Sequence, residues 1–316
     1  MDISIIICTY NRSKLLRQCI ESVEGLIVPE GLSWEVLIVD NNSTDDTKSA
    51  AEYMQKSGKL NTRYVFEKKQ GLSFARNKGV AEAGGGIVAF IDDDSVVDKG
   101  WLKAIIETFS KYGADCVGGR ISPLDWPKKV PAWFNEELYK YTGIYDQGDK
   151  VIELSGPFAL PYGGNAAYKK GVFTKAGLFD TGLGRVGKGS VYGGEEQELE
   201  QKIIKSGGKI FYQPGAIVYH PLRPEMLARK YFRGMDFKTG EKAGLKFGEY
   251  GKRTIFGVPL FAINQFLRSV YRYIKAVIKD GYSNSFRKEL YCWYFLGFMS
   301  GRIKYTSGHK YNNLHV

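Results

Sequence analysis

Apolar residues in the first half of the chain come in short runs that end in polar or acidic residues. Ile3–Cys8 is apolar apart from Ser4, Trp34–Val39 runs into Asp40, and Ile87–Ile91 runs into Asp92. Runs of this kind, without strict alternation, predict strands buried on both faces, as in parallel sheets. Arg63–Phe66 reads as a shorter strand and Asp115–Gly119 as a further one. Between the strands the apolar spacing becomes helical. Leu15, Leu16, Cys19, Ile20 and Val23 follow Ser13 as a cap, Gly71–Ala83 is stopped by three glycines, and Trp101–Tyr112 closes the series. Strands alternating with helices predict an α/β fold with a Rossmann-like, mostly parallel sheet flanked by helices.

Residues 120–162 lose this rhythm. Five prolines fall there, with Trp126, Trp133 and Phe134 among them, and the stretch reads as a long excursion over the sheet that meets substrate. After Gly163–Tyr168 come a short helix near Gly171–Ala176 and a glycine-rich loop, Gly182–Gly194. A helix over Glu195–Lys205 and two short strands, Ile210–Tyr212 and Ala216–Tyr219, lead to His220. The remainder reads as helical. Phe261, Phe266, Leu267, Val270, Ile274, Val277 and Ile278 keep roughly a 3.6-residue period, with Arg268, Arg272, Lys275 and Lys279 between them.

Composition changes the picture in one respect. With 43% hydrophobic and 25% charged residues, the 316-residue chain is that of a folded protein. Its net charge of +11 is unevenly spread: residues 221–316 hold 18 Lys and Arg against 6 Asp and Glu, and the first 220 hold 27 against 28. A near-neutral body joined to a basic helical extension points to an anionic partner. Four scattered cysteines fit a reducing compartment, and neither a signal peptide nor a long uncharged apolar segment is expected.

The candidate chemistry centres on Val88–Ser95, where four apolar residues run into Asp92-Asp93-Asp94. Open α/β sheets bind ligands beyond the carboxyl ends of their strands. Three adjacent carboxylates repel one another, and a divalent cation with phosphate on its other side removes the repulsion. The bland alternative is a solvated acidic turn. No G-x-G-x-x-G follows the first strand and no G-x-x-x-x-G-K-[ST] is present, so a diphosphate needs another device than a glycine loop. Asp40, at the end of the second strand, reads either as an acceptor for a base or ribose or as an Asx-turn residue.

Taken in order, IIICTYNR (5–12), VDNNSTDDT (39–47), QGLSFARNKG (70–79), IDDDS (91–95), GGNAAY (163–168) and GEEQEL (194–199) resemble the motifs of family 2 glycosyltransferases of the GT-A fold. The resemblance covers about the first 220 residues. It implies a catalytic domain over 1–222, with a nucleotide-sugar half (1–119) and an acceptor half (120–222), followed by a basic helical region (223–316). It implies that Thr9, Tyr10, Asn11, Arg12 and Asp40 receive the nucleotide, that Arg76 faces the donor phosphates or ribose, and that Asp92 and Asp93 contact the donor. Asp94 and His220 would hold Mn2+ or Mg2+. Gly164, Asn165 and Trp133 would lie on the acceptor side. The base falls at Glu196, where the family's motif has Asp, and Glu195 competes for the role.

The activity so implied is metal-dependent, inverting transfer of a sugar from a nucleotide-diphospho-sugar, UDP-linked by preference, to a glycan or lipid-linked saccharide. The rivals are a sugar-nucleotidyltransferase, or a non-catalytic membrane- or nucleic-acid-binding protein on the same scaffold. The basic C-terminal helices read either as a terminal bundle or as an interfacial element on an anionic membrane. The expected place is cytoplasmic, peripheral at the inner face of the cell membrane, with no nucleic-acid partner.

Overall fold

The structure, a computed structural model, describes residues 1–156, 159–185, 193–248 and 253–308. The chain divides into two compact units. One comprises Met1–Asp125 and Gly143–Pro221, the other Trp126–Thr142 and Leu222–Val316.

The strands of the first unit are β1 (Ile3–Thr9), β2 (Trp34–Asp40), β3 (Thr62–Phe66), β4 (Ile87–Asp92), β5 (Val96–Val97), β6 (Cys116–Pro123), β7 (Ile152–Leu154), β8 (Asn165–Lys169) and β9 (Ile210–His220). Its helices are α1 (Ser13–Glu24), α2 (Thr47–Ser57), α3 (Leu72–Glu82), α4 (Trp101–Tyr112), α5 (Val172–Ala176) and α6 (Glu195–Lys205). Among the described residues these strands form one sheet, ordered β3-β2-β1-β4-β8-β6-β9-β5, with β7 also paired to β9. β3, β2, β1 and β4 are parallel, and β8 runs antiparallel between β4 and β6.

The unbroken apolar runs follow from burial on both faces. Ile5 and Ile7 join a core with Leu16 and Ile20 of α1 and Trp101 and Ile105 of α4. Ile6 points the other way, to a core with Ala75 and Val80 of α3 and Leu199 and Ile203 of α6. Each such side chain contributes about 1.5–3 kcal/mol when fully buried.

Two expectations are corrected here. The two short strands before His220 are one strand, β9, with a bulge. Gly119 of β6 faces Gln213 and Ile121 faces Val218, so the intervening residues of β9, Pro214 and Gly215 among them, have no partner in the ladder. Proline and glycine suit such a break, which is why the sequence there resembles a turn. Residues 126–142 do not belong with the sheet unit. Their apolar side chains pack in the second unit, where the Trp133 ring meets Phe232 and Phe286 edge-on at 5.4 and 4.7 Å.

The second unit contains α7 (Arg229–Lys246), a hairpin of β10 (Thr254–Ile255) and β11 (Val258–Pro259), α8 (Leu260–Asn284) and α9 (Phe286–Thr306). α7 and α9 pack backbone to backbone through glycines four residues apart, Gly240 and Gly244 on one helix and Gly297 and Gly301 on the other. A methyl group at any of the four would strike a carbonyl oxygen of the facing helix: Tyr294, Phe298, Phe237 and Glu241 respectively. Small residues at this spacing let two helices approach until their main chains touch. Gly234 of the same α7 meets nothing.

Gly244→Ala is therefore expected to destabilise this unit by about 1–3 kcal/mol through overpacking. Gly234→Ala is expected to stabilise it by about 0.4–1 kcal/mol by restricting the unfolded chain. Urea denaturation followed by circular dichroism measures both, and equal effects would contradict the close approach.

Candidate active site

The parallel strands leave a crevice where the chain order reverses. From β1 the chain moves outward to β2 and β3, then returns to the other side of β1 as β4. Open sheets bind ligands at such a switch point, beyond the carboxyl ends. Arg12, just after β1, crosses it. Its Nη1 lies 2.9 Å from Asp93 and 3.2 Å from Asp94.

The turn after β4 feeds directly into β5. Val96 and Val97 pair there with Tyr219 and Val218 at the end of β9. That pairing carries His220 to the acidic turn, with Nε2 3.4 Å from Asp94. Asp92, Asp94 and His220 each offer one ligand atom, all within 4.8 Å of one another. Asp93 is turned inward and buried. Burial pushes its carboxyl up to about 6 against the pull of Arg12. The structure thus groups Asp92 with Asp94 and His220, whereas the sequence reading gave Asp92 to the donor alone.

The loops after β1 and β2 lock each other. Asn11, with φ +53°, accepts hydrogen bonds at Oδ1 from the backbone amides of Thr44 (2.7 Å) and Asp45 (3.3 Å). Its own amide donates to Ser43 Oγ at 2.9 Å. Asp40 is buried and accepts from the Ser43 amide, three residues on, and from the Tyr64 hydroxyl, both at 2.9 Å. Thr9 is buried at the end of β1 and Tyr10 is half-buried beside it. The predicted nucleotide residues are together at one end of the sheet, but Asn11 and Asp40 also hold the loops in shape.

Arg76 is placed differently from the expectation. It is buried on α3 and makes a 2.7 Å ion pair with Glu195, the first residue of α6, which is also buried. Phe90 and Phe179 lie 5.8 and 5.5 Å from its guanidinium carbon. Burial pushes the Glu195 carboxyl up, while Arg76 pulls it down. An arginine so enclosed is a cross-brace and is not presented to donor phosphates. Glu196, the next residue, lies 3.7 Å from Arg76 and is partly exposed, and its Oε2 has no hydrogen-bond partner among the described residues.

The rest of α3 explains its motif. Ser73 donates to the Leu183 carbonyl at 3.0 Å, and Asn77 exchanges two bonds with the Phe179 backbone at 2.9 and 3.0 Å. Residues 73, 76 and 77 share one helix face. That face holds the chain leading to α6. Residues 186–192 of the glycine-rich loop lie outside the described residues.

Three consecutive residues before and at the start of β8 each serve a different partner. A Cβ at Gly163 would strike the Arg76 guanidinium, and one at Gly164 the Asp92 carboxylate. Asn165 is fully buried. Its Oδ1 accepts from Trp101 Nε1 at 2.8 Å, and its Nδ2 donates to the Arg120 and Ala216 carbonyls, both at 2.9 Å. Those carbonyls flank the bulge between β6 and β9, so Asn165 seals the break and is closed to an acceptor. Gly164 supports Asp92, and Trp133 is engaged in the second unit under the Arg229 guanidinium. Of the three residues assigned to the acceptor, Asn165 and Gly164 thus have these roles within the sheet unit, and Trp133 belongs to the other unit.

Sequence reasoning missed Glu200. It is fully buried one turn beyond Glu196, accepts a 2.9 Å hydrogen bond from Tyr168, and is pushed well up by burial. Its place on the same face as Leu199 and Ile203 was the available signal.

An open sheet with an acidic cluster at its switch point, crossed by antiparallel β8, is the arrangement of the GT-A glycosyltransferases. The family model for "Glycosyl transferase family 2" matches residues 4–176. A glucosyl-dolichyl phosphate glucuronosyltransferase of Haloferax volcanii is 28% identical over 228 residues, 70% of each chain. The succinoglycan biosynthesis protein ExoM of Rhizobium meliloti is 25% identical over 263 residues, 82% of this chain and 80% of its own. The mannosyltransferase PcManGT of Pyrobaculum calidifontis, solved with GDP-Man and Mn2+, superposes with a TM-score of 0.60 at 17% identity, covering 98% of this chain and 88% of that one. The chain belongs to glycosyltransferase family 2 and is an enzyme of that class, which sets aside the nucleotidyltransferase and non-catalytic readings.

The buried pair yields a prediction with a definite sign. Arg76→Met leaves Glu195 buried without its partner, a loss of about 3–5 kcal/mol near neutral pH. The Glu195 carboxyl then titrates still higher. A raised carboxylate pKa gives stability that is present at low pH and lost as pH rises. The deficit of Arg76→Met should therefore shrink toward about pH 5, and adding Glu195→Gln should recover much of it. Denaturation of both variants across pH measures this, and a pH-independent deficit would contradict the pairing.

Proposed function

We propose that this enzyme performs metal-dependent, inverting transfer of a sugar from a nucleoside-diphosphate sugar, UDP-linked by preference, to a glycan or lipid-linked saccharide. The reading rests chiefly on Asp92, Asp94 and His220, which converge at the switch-point crevice. Two carboxylates and one imidazole fit a divalent cation, and suit Mn2+ better than Mg2+, which prefers oxygen ligands alone. A cation held by these three residues neutralises the charge that develops on the diphosphate leaving group. PcManGT, bound to GDP-Man and Mn2+, supports a nucleotide-sugar donor here.

The loops containing Thr9, Tyr10 and Arg12 border the same crevice and receive the nucleotide. Asp40 is buried behind them and keeps the β2 loop in the receiving shape. Arg12 holds Asp93 and Asp94 apart from each other's charge until donor binds. Asp93, buried, orients the turn.

Glu196 is the general base. Of the two candidates it is the more exposed, and its ion pair with Arg76 is the longer, 3.7 Å against 2.7 Å for Glu195. Glu195 is the positioning residue: its bond to Arg76 fixes the first turn of α6, and Glu196 is carried with it. Glu196 takes the proton of the acceptor hydroxyl as that oxygen attacks the anomeric carbon from the side opposite the diphosphate. One displacement inverts the configuration.

Two relatives support the acceptor class. One acts in the dolichyl-phosphate context that its name gives, and another in succinoglycan biosynthesis. A lipid-linked acceptor requires the enzyme to work at a membrane surface, consistent with a peripheral position at its inner face.

Thermal-shift assays with UDP, GDP and their sugars, with and without Mn2+, test the reading. Stabilisation by one nucleotide that requires Mn2+ is expected, and Asp94→Ala should remove it. Glu196→Gln should lower turnover by about 10²–10⁴-fold while sparing donor binding. Metal-independent transfer at an undiminished rate in Asp94→Ala would overturn the metal assignment, and full turnover in Glu196→Gln would move the base elsewhere.

A further inference from the structure

Helix α8 has three faces. Ala262, Ser269 and Ala276 are buried and recur every seven residues. Leu260, Leu267, Tyr271, Ile274 and Ile278 are exposed, Ile278 at 82%. At 3.6 residues per turn these five fall within an arc of about 60°, on the side away from the buried face. Arg268, Arg272, Lys275 and Lys279 are exposed as well and occupy the adjoining arc. The helix's one acid, Asp280, is paired with Lys288 at 3.8 Å.

The apolar stripe does not stop at the helix. Ile263, one turn from Leu260 and Leu267, lines an open apolar pocket of about 580 Å³ with Ile255, Phe256, Val258 and Ile303. Phe256 stands at the tip of the β10–β11 hairpin, is 88% exposed and has φ +49°. Large apolar side chains aligned to this extent mark an interaction surface, since single exposed apolar residues are scattered on ordinary surfaces. Among the described residues no helix is long and apolar enough to cross a membrane.

We propose that α8 and the hairpin tip form a docking surface for an anionic lipid bilayer. The helix lies in the headgroup plane. Leu267, Ile274, Ile278 and Phe256 enter the acyl boundary, Tyr271 sits at the interface, and the row from Arg268 to Lys279 reaches phosphate. Charge complementarity selects the bilayer over a second copy of this chain. An α8-on-α8 contact with a second copy offers the basic row no unpaired acid from the facing helix, because its one acid, Asp280, is already paired with Lys288. The surface is independent of the donor and acceptor assignments made above, since every residue in it belongs to the second unit.

The test is co-sedimentation of the full chain with phosphatidylcholine vesicles, with and without phosphatidylglycerol. Binding to the anionic vesicles, weakened by salt, is expected. The variant Leu267→Gln/Ile274→Gln/Ile278→Gln should lose roughly tenfold or more of its vesicle partition and keep its circular-dichroism melt, because the three side chains are exposed. Replacing Arg268, Arg272, Lys275 and Lys279 by Gln should abolish the preference for anionic lipid. An environment-sensitive dye on Ile278→Cys should shift to the blue on anionic vesicles and not on vesicles of phosphatidylcholine alone.

Equal binding of the apolar variant, no binding of the wild type, or no dye shift at position 278 would overturn the proposal. So would a dimer in sedimentation velocity that the apolar variant dissolves while vesicle binding stays unchanged. Mn2+-dependent nucleotide stabilisation, measured without vesicles, should be the same in the α8 variants. Loss of that signal in the wild type with vesicle binding intact would count against the catalytic reading alone.

Discussion

The sheet unit depends on one interaction that water would make weak and burial makes demanding. Arg76 and Glu195 meet at 2.7 Å with both side chains almost fully enclosed. Two charges taken out of water cost several kcal/mol each, and their mutual attraction returns this only in good geometry. If Arg76 moves, Glu195 is left as a buried carboxylate without its cation. The pair therefore fixes α3, the start of α6 and the glycine approach to β8 as one assembly. Phe90 and Phe179 flank the guanidinium, and Gly163 leaves room for it. Its value to the enzyme lies in position more than in net stability: the carboxylate next along the helix, Glu196, is held wherever that assembly puts it.

The acidic turn poses the opposite problem. Asp92, Asp93 and Asp94 lie close together with Arg12 and His220 beside them. Asp93 is buried, which raises its pKa, and Arg12 serves both it and Asp94. Asp92 leans on Gly164, where any side chain would push it away. Two carboxylates and an imidazole are thus kept near the surface of the crevice while the third carboxylate is turned inward. The short β5 makes this possible. Two residues are enough to zip the turn onto the end of β9 and set His220 in place.

Much of this was legible in the chain. Parallel strands buried on both faces need uninterrupted apolar runs, and β1, β2 and β4 have them. The acidic turn stood out in the chain but read equally as a solvated turn, and it is the fold that brings His220 beside Asp92 and Asp94. Arg76 was misread because a helix surface position and a buried brace look alike until a partner from 119 residues away is known. Asn165 was misread for a related reason: the carbonyls it satisfies are exposed by a bulge that forms only when β6 and β9 pair. Helix α7 carries no apolar period because glycines make its contact with α9, and glycine leaves no hydrophobic mark. Trp133 stands among prolines and aromatic residues without a helix or strand period, and such a stretch does not say which unit its ring packs in.

The charge asymmetry acquires a physical meaning from α8. A net +12 over residues 221–316 could have been a solvated surface, as most basic stretches are. On α8 the basic residues are confined to one arc beside an apolar one. Either arc alone would be weak. A basic row without apolar neighbours is screened within a Debye length of about 8 Å at physiological salt. An apolar stripe without charge gives no preference among membranes and invites self-association. In the docking proposed above, the charges bring the helix to an anionic surface and the apolar side chains hold it there, and none of the described helices is long and apolar enough to cross a bilayer. Such a surface would serve the lipid-linked acceptor proposed above, which has to be met at a membrane.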